Sequence, residues 1–224
     1  MIRTIVIFDA SDLPSAREGD IETRILRLCR EHESVARYAL GRNIHPMRPD
    51  LQMITHIWET EFNDLQAWQT FRSSLAVDAL YRQALAPIRA ASITYAVSAE
   101  SARGDLLYPG RIRRLHLANF TDTATDSMKI DGDAALLSMP AAIPEIKAWA
   151  LGYRIGAADL ALASFEHSWD TSFDNIADLQ VYVTCDYHLA KTHDFAVDLS
   201  PKHIYRELHS GYYIVQPDLD VRCG

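Results

Sequence analysis

Cysteine is scarce in this chain of 224 residues, which contains three: Cys29, Cys185 and Cys223. Their number is odd, they lie far apart, and no CxxC spacing occurs. Disulfide frameworks and cysteine zinc sites both depend on sets of cysteines at recurrent spacings. The sequence therefore favours neither of these, and it predicts a reduced, cytoplasmic setting.

Long apolar runs and excess positive charge are also missing. No stretch approaches the roughly 18 apolar residues that a membrane helix needs, and the N-terminal MIRTIVIFDASD is typical of a first strand rather than of a signal peptide. Lys and Arg number 22 against 30 Asp and Glu, so the formal net charge is −8. An acidic chain without a basic cluster repels phosphate backbones. We therefore expect neither a membrane nor nucleic acid as a partner.

The common motifs of metal and phosphate sites are absent as well. The stretch GYRIG at 152–156 lacks the GK[ST] ending of a phosphate loop, and the acidic segment at 126–133 lacks the terminal Glu of an EF-hand loop. His188 and His193 are five residues apart, which separates them by about 140° around a helix. A helical metal pair uses i, i+4 spacing instead. We therefore predict no metal and no other cofactor.

An internal repeat is present. ALGRNI at 39–44 matches ALGYRI at 150–155, and THIWETEF at 55–62 matches EHSWDTSF at 166–173. The offset is 111 residues in both blocks, which short chance matches do not readily produce. Self-similarity at a fixed offset indicates repeated structural units. The simplest interpretation is two copies of one domain.

Each copy has the signals of the order β-α-β-β-α-β. Runs such as RTIVIF are typical of buried strands, and a helix predicted from about Ser15 places Ile21, Ile25 and Leu28 on one face. Ser15 and Glu18 have the spacing of a capping box. The order is that of the ferredoxin-like arrangement, in which two helices cover one face of an antiparallel sheet.

The two copies predict an α+β fold with tandem domains at 1–98 and 111–224. The segment at 99–110 is polar with Gly and Pro, and we interpret it as a linker. Two copies can bury their open sheet faces against each other, so we predict an α/β barrel formed within one chain. The protein would then be a pseudo-dimeric monomer or a homodimer. In the second copy we expect a helix at 131–139 that is interrupted by Pro140.

Strand alternation places candidate site residues on shared faces, because side chains at i and i+2 point the same way. In the third strand of the second copy, Phe165, His167 and Trp169 share a face. In the first copy, His56 lies beside Trp58 in the same manner. Each histidine also has a simpler interpretation, which is a core residue with one satisfied hydrogen bond.

The next helix carries Leu179, Tyr182 and Cys185 at i, i+3 and i+6, and the chain then reaches His188. An unbroken helix would turn His188 about 120° away from Tyr182. A break near Cys185, with Asp186 as the new cap, would bring both to one cavity. The imidazole could then accept a proton while the phenol donates a hydrogen bond to an oxyanion. A buried tyrosine that merely bonds a nearby histidine is the alternative.

The segment EHSWDTSFDNIADLQVYVTCDYHLAKTHDF at 166–195 resembles the stress-responsive dimeric α/β barrel (Dabb) family. Its members have a strand with a similar histidine and acidic pattern, a phenylalanine, a helix with Leu-x-x-Tyr, and a final histidine. The resemblance implies a cofactor-free cyclase or lyase on a small-molecule substrate, with Tyr182 and His188 as catalytic residues and His167 in the pocket. Side chains on the same faces complete the predicted binding set: Phe165, Trp169, His116, Leu179 and Cys185.

The sequence departs from the family pattern in three places. A Cys-Asp pair replaces the His-Pro of the family's final element. Arg114 aligns with a first-strand histidine, and His116 lies two residues further along the same face. In the first copy, the tyrosine and final histidine align with Trp68 and Ser74. We therefore expect one site, in the second copy.

Three function classes remain open. The first is a cofactor-independent cyclase, lyase or isomerase for a small carbonyl-bearing compound, polyketide-like or aromatic. In it His188 is the base, Tyr182 polarises the carbonyl, and His167 orients or relays. The second is a non-catalytic small-molecule-binding or stress-associated barrel protein. The third is a haem or oxygen-dependent enzyme, because related barrels host such chemistry.

Overall fold

The computed structural model describes residues 1–44, 54–156, 162–196 and 203–216. Cys223 lies outside these ranges. Within them, no helix has both the length and the apolar character that a membrane crossing requires.

The elements of the first copy follow the predicted order. They are β1 (Ile2–Asp9), α1 (Ser15–Glu31), β2 (Arg37–Arg42), β3 (His56–Phe62), α2 (Leu65–Arg72), α3 (Leu75–Leu80) with a π-helical turn at Tyr81–Leu85, and β4 (Arg89–Ala96). The second helix of the predicted order is divided in two, because Ser74 caps α3 by accepting a hydrogen bond from the Val77 backbone N–H.

The second copy repeats this order after a short strand, β5 (Ala102–Arg103). Its elements are β6 (Ile112–Phe120), α4 (Asp126–Ala142), β7 (Ala148–Tyr153), β8 (Ala163–Ser164), β9 (His167–Phe173), α5 (Ile176–Thr184), α6 (Asp186–Ala196) and β10 (Tyr205–Ile214).

Each copy forms a sheet whose four main strands are antiparallel and in equivalent order. The first is β2-β3-β1-β4, and the second is β7-β9-β6-β10. Strand β8 extends the first sheet at β4 although it belongs to the second copy, and β5 extends the second sheet at β7. The mixed α/β architecture is consistent with two tandem ferredoxin-like units, as the repeat predicts.

Three apolar layers follow from the alternation of side chains. On β1, Val6 and Phe8 pack on the helix side of the first sheet, whereas Ile5 and Ile7 belong to a cluster shared with Leu115 and other residues of the second sheet. The third layer lies between the second sheet and α4 and α5. It contains the candidate site. Burial of apolar surface is the main stabilising contribution in all three layers.

Charged residues are buried between the sheets, and they repeat across the copies. Arg3 on β1 and Arg113 on β6 occupy matching positions and both bind Glu59 of β3. Tyr213 donates a hydrogen bond of 2.7 Å to the same carboxylate. Burial opposes the ionisation of Glu59, but Arg113 and Arg3 together hold its pKa below the ordinary value. The two copies are therefore joined through polar as well as apolar contacts.

The glycine of the repeated Ala-Leu-Gly sequence, at 39–41 and 150–152, has a packing role between the copies. Gly41 faces the ring of Tyr213, and Gly152 faces the ring of Tyr95. A Cβ atom at either glycine would overlap the facing ring. The Tyr95 hydroxyl also donates to Asp170, the repeat equivalent of the first copy's buried glutamate. The repeat therefore encodes contacts between the two copies as well as a strand.

The predicted capping box at the start of α1 is wrong. Pro14 occupies the N-cap position, and no side chain there accepts a backbone hydrogen bond. Ser15 is the first helical residue, while Glu18 binds Arg42 of β2 at 3.1 Å. The acidic side chain therefore contacts the sheet instead of closing the helix end.

The predicted limits of the second copy's first helix are also wrong. Thr125 caps α4 by accepting from the Met128 backbone N–H at 3.3 Å, so the helix begins at Asp126, five residues before the predicted start. The helix continues past Pro140 to Ala142. The buried side chain of Met139 stabilises this last turn, because it packs in the layer between α4 and the sheet.

Candidate active site

A break between α5 and α6 brings Tyr182 and His188 together. Asn175 caps α5 by accepting from the Asp178 backbone N–H, and α5 ends at Thr184. Cys185 then has an extended backbone with φ −71° and ψ 143°, and α6 begins. The two rings lie 4.3 Å apart between centroids. The predicted break is confirmed, although Asp186 is the first residue of α6 and not its cap.

Tyr182 is fully buried, and its hydroxyl oxygen is surrounded by donors. Trp169 Nε1 lies 3.3 Å away and Arg114 Nη1 lies 3.5 Å away. The hydroxyl proton faces the sulfur of Met139 at 3.6 Å, which is a weak acceptor. Burial raises the pKa of Tyr182 although Arg114 opposes the shift. The phenol is therefore protonated at neutral pH and has a proton to donate.

His188 is nearly buried, and neither ring nitrogen has a partner with hydrogen-bond geometry. Burial and then the positive charge of Arg114 lower its pKa to about 4, while the backbone of Val183 acts in the opposite direction. The imidazole is therefore neutral at pH 7. A neutral, buried imidazole beside a phenol has a free lone pair with which to accept a proton.

Arg114 and His116 complete this group from β6, where i, i+2 spacing places them on one face. Arg114 Nη2 lies 3.5 Å from His116 Nδ1, and the guanidinium lies over the Tyr182 ring at 5.2 Å. Burial, then the charge of Arg114, lowers the pKa of His116 well below its ordinary value. Arg114 was absent from the predicted set. The i, i+2 spacing of Arg114 from His116 was the sequence feature that could have placed both side chains on one strand face.

His167 does not join the Tyr182 and His188 rings. Its Nε2 lies 3.1 Å from Asp133 of α4, and its Nδ1 lies 3.3 Å from the Tyr205 hydroxyl. The prediction of one shared hollow is wrong on this point. Two residues along a strand span about 6.6 Å, so Trp169 reaches Tyr182 of α5 whereas His167 reaches Asp133 of α4. Tyr205 connects the groups, since its ring centroid lies 6.4 Å from that of His116.

Of the remaining predicted binding residues, Phe165 lies elsewhere. Its backbone N–H donates to Ser92 of β4, so this part of the chain follows the first sheet, and its ring packs against His209 between the sheets. The predicted face shared with His167 is therefore wrong. Leu179 packs beside Tyr182 in the third layer, and the Cys185 sulfur lies 3.4 Å from the Tyr182 carbonyl oxygen.

The first copy has apolar residues where the second has its acid-base pair. The 111-residue offset continues through the helices and matches Tyr182 with Phe71 and His188 with Val77. Phe71 contacts Phe62 at 5.1 Å, as Tyr182 contacts its own strand phenylalanine at 5.2 Å. The predicted alignment with Trp68 and Ser74 is therefore wrong by three residues.

One group in the described part of the chain has metal-ligand atoms close together. Atoms of Glu18, Glu22 and His56 lie within 4.8 Å of one another. Arg42 binds both carboxylates at 3.1 Å, so the acidic charge already has a partner. His56 and Glu22 repeat the contact of His167 with Asp133. The geometry therefore indicates a structural contact and assigns no metal.

A cavity of about 170 Å³ lies between the two sheets at one end. Its lining includes Phe165 and His209 of the second copy and Ile7 and Ile54 of the first. It is separate from the acid-base group, which lies on the opposite, helix-covered face of the second sheet.

No protein-family model matches the chain, and no curated protein matches its sequence. Solved structures do match the fold. An anthrone oxidase-like protein matches with a TM-score of 0.67 and 9% identity, over 95% of this chain and 90% of that one. A protein from Lactobacillus acidophilus NCFM, assigned provisionally as a monooxygenase, gives 0.56 and 10%, over 95% and 92%. A Dabb-family protein from Mesorhizobium loti MAFF303099 gives 0.39 and 13%, over 47% and 96%. At these identities the first two likenesses establish the fold alone.

Proposed function

We propose that the second copy catalyses cofactor-independent proton transfer on a small carbonyl-bearing compound, aromatic or polyketide-like, as a cyclase, lyase or isomerase. The contact between the Tyr182 and His188 rings at 4.3 Å is the observation that carries this proposal. It places a protonated phenol beside a neutral imidazole with unpartnered nitrogens. Such a pair can donate to a carbonyl oxygen and accept a proton from the neighbouring carbon.

In the proton transfer His188 acts as the proton acceptor and Tyr182 as the hydrogen-bond donor. A ring nitrogen of His188 takes the proton from the carbon next to the carbonyl, and the electron pair of the C–H bond moves to the carbonyl oxygen as an enolate. Tyr182 stabilises that oxygen by a hydrogen bond. The negative charge of the enolate also raises the proton affinity of His188 during the reaction. This offsets the lowering of the His188 pKa by Arg114 in the free protein. The enolate then forms or breaks a carbon–carbon bond, or is reprotonated.

His167 has a positioning role in this proposal. It holds the Tyr205 hydroxyl and is itself held by Asp133. Tyr205 in turn packs beside His116 on the site face. This chain of contacts fixes the ring orientations around the pair without placing His167 on the substrate.

We further propose that the two sheets close into one barrel within the chain, with copies at 1–98 and 111–224 and a linker at 99–110. Contacts at both sheet edges support closure. The Ile155 N–H donates to the Thr94 carbonyl at 2.8 Å, and the Ile44 N–H donates to the Tyr212 carbonyl at 2.9 Å. The chain would then act as a pseudo-dimer without a second protomer.

An oxygen-dependent oxidation is the second candidate. It is favoured by the fold likeness over 95% of the chain to an anthrone oxidase-like protein. An enolate or phenolate formed by His188 would be the species that reacts with oxygen. Oxygen uptake that accompanies turnover, and loss of turnover under nitrogen, would distinguish it from the cyclase, lyase or isomerase.

Deuterium exchange tests the proton transfer directly. A panel of aromatic methyl ketones and β-diketones in D2O is followed by NMR. Replacing His188→Ala or Tyr182→Phe should slow exchange by roughly 10²-fold or more, as expected for loss of a general base or acid. His193→Ala and Tyr187→Phe make the same chemical changes on the exposed side of α6, and exchange should stay within about twofold of wild type.

Equal exchange by the wild type and both site variants contradicts the proposal. Ketone binding without catalysed exchange supports the non-catalytic binder instead.

A further inference from the structure

The guanidinium of Arg114 lies in the interior without an acidic partner among the described residues. It is 5% exposed. Its contacts go to uncharged groups: the Tyr182 hydroxyl and His116 Nδ1, at 3.5 Å each, and the side chain of Tyr212, which also hydrogen-bonds to it. Its Nε–H has no partner. A buried cation without a counterion strongly destabilises the folded state.

The neighbouring residue on the same strand shows the usual arrangement. Arg113 is fully buried, and its side chain makes two hydrogen bonds to Glu59 at 3.0 and 3.2 Å and lies 3.7 Å from Asp170. The described residues therefore supply carboxylates to the arginine that faces the other sheet, and none of them supplies one to Arg114, which faces the helices.

Hydrogen-bond donors also outnumber acceptors around Arg114. His116 Nδ1 faces a guanidinium N–H and must accept from it, so the proton of the neutral ring is on Nε2, which has no partner. The Tyr182 oxygen already receives donors from Trp169 and Arg114, and its own proton has only a sulfur to face. Tyr182 does not itself supply the missing negative charge, because its pKa is raised.

We propose that Arg114 and His116 form a binding subsite for a carboxylate, so the substrate of the second copy is a small carbonyl compound that also carries a carboxylate group. One negative charge balances the one guanidinium, and the carboxylate oxygens accept from Arg114 Nε–H and His116 Nε2–H. A phosphate dianion would exceed the single positive charge. The inference deepens the proposed function by naming the ligand's charge; it rests on that proposal for the reaction but not for the binding.

The test uses the full-length protein at pH 8 and constant ionic strength. Thermal unfolding is followed with added formate, acetate and benzoate, with the neutral amides of the same acids, and with inorganic phosphate. The three carboxylates should raise the unfolding midpoint, benzoate most because of its apolar ring, while the amides and phosphate should have little effect. Binding to the native state alone is what raises the midpoint.

Arg114→Met separates a binding role from a structural one. Removal of a buried, unpaired charge should leave the unfolding midpoint of the unliganded protein unchanged or higher. The same variant should bind carboxylates at least about tenfold more weakly, since the charge-assisted hydrogen bond from Arg114 is lost. Arg114→Lys keeps the charge but not the planar fork, and should retain part of the binding. Arg206→Met removes an exposed arginine of β10 and should bind as the wild type does.

The proposal is overturned if no carboxylate stabilises the wild type, if phosphate or the amides do so equally, or if Arg114→Met binds carboxylates unchanged. A lower midpoint for unliganded Arg114→Met would also overturn it, because that result indicates a structural arginine. Failure of the proposed reaction looks different. His188→Ala would then leave proton exchange unchanged while carboxylate binding at Arg114 persists.

Discussion

At the scale of single residues, the site combines a neutral histidine, a protonated tyrosine and a buried cation. The low pKa of His188 has two causes, burial first and Arg114 second. Neither cause is visible from the sequence alone, because both depend on which side chains α5, α6 and β6 bring together. The spacing of Tyr182 and His188 was visible, and it correctly indicated a helix break at Cys185.

The His188 pKa predicts a loss of stability in mild acid. Its folded value of about 4 lies below the unfolded value near 6.5. Protons therefore bind the unfolded chain preferentially, and the folded state loses up to about 3 kcal/mol as the pH falls from 6.5 to 4. His188→Gln should lose less stability across this window, as measured by urea unfolding.

The exposed histidine of the same helix provides the control for this measurement. His193→Gln should retain the full pH dependence of the wild type. Parallel stability curves for the wild type and His188→Gln between pH 4 and 6.5 would contradict a low pKa at that position.

At the scale of secondary-structure elements, the fold was predictable where one pattern repeats. The strand order, the helix face of α1 and the repeated histidine strands all follow from periodicity and from the 111-residue offset. Phe165 was misplaced because alternation assumes an unbroken strand, whereas β8 pairs with the first sheet before β9 begins. The length of α4 was missed because tertiary packing outweighed the usual effect of Pro140.

The glycines of the repeated Ala-Leu-Gly sequence lead to a second prediction, on protein stability. Gly152→Ala would bring a Cβ atom into the ring of Tyr95, so it should lower the free energy of unfolding by about 1–3 kcal/mol through overpacking. Gly19→Ala is the matched control, since it lies in α1 with no atom near its added methyl group. Ala favours a helix over Gly by up to about 1 kcal/mol, so chemical denaturation should show Gly19→Ala at or above wild type.

Equal stability of Gly152→Ala and the wild type would mean that Tyr95 moves aside freely. The ring would then not be fixed between the copies, and the role inferred for the repeated glycine would be wrong.

At the scale of the whole molecule, the two copies have diverged around the same framework. Both keep the strand histidine with its helix carboxylate, and both contribute to the charged group between the sheets. The first copy has Phe71 and Val77 where the second has Tyr182 and His188, so the first copy has apolar packing at the positions of the candidate acid-base pair. The sequence allowed the prediction of a single site. The first-copy residues that stand in place of its tyrosine and histidine were identified only from the register of the helices.

The location of the site is tested most directly by NMR of the full chain with isotope-labelled histidine rings, titrated with benzoate at pH 8. Binding at the second copy predicts shifts of the His116 and His188 signals, with His32 and His56 of the first copy unchanged. Shifts confined to the first-copy histidines, or no shift at His116 and His188, would contradict it.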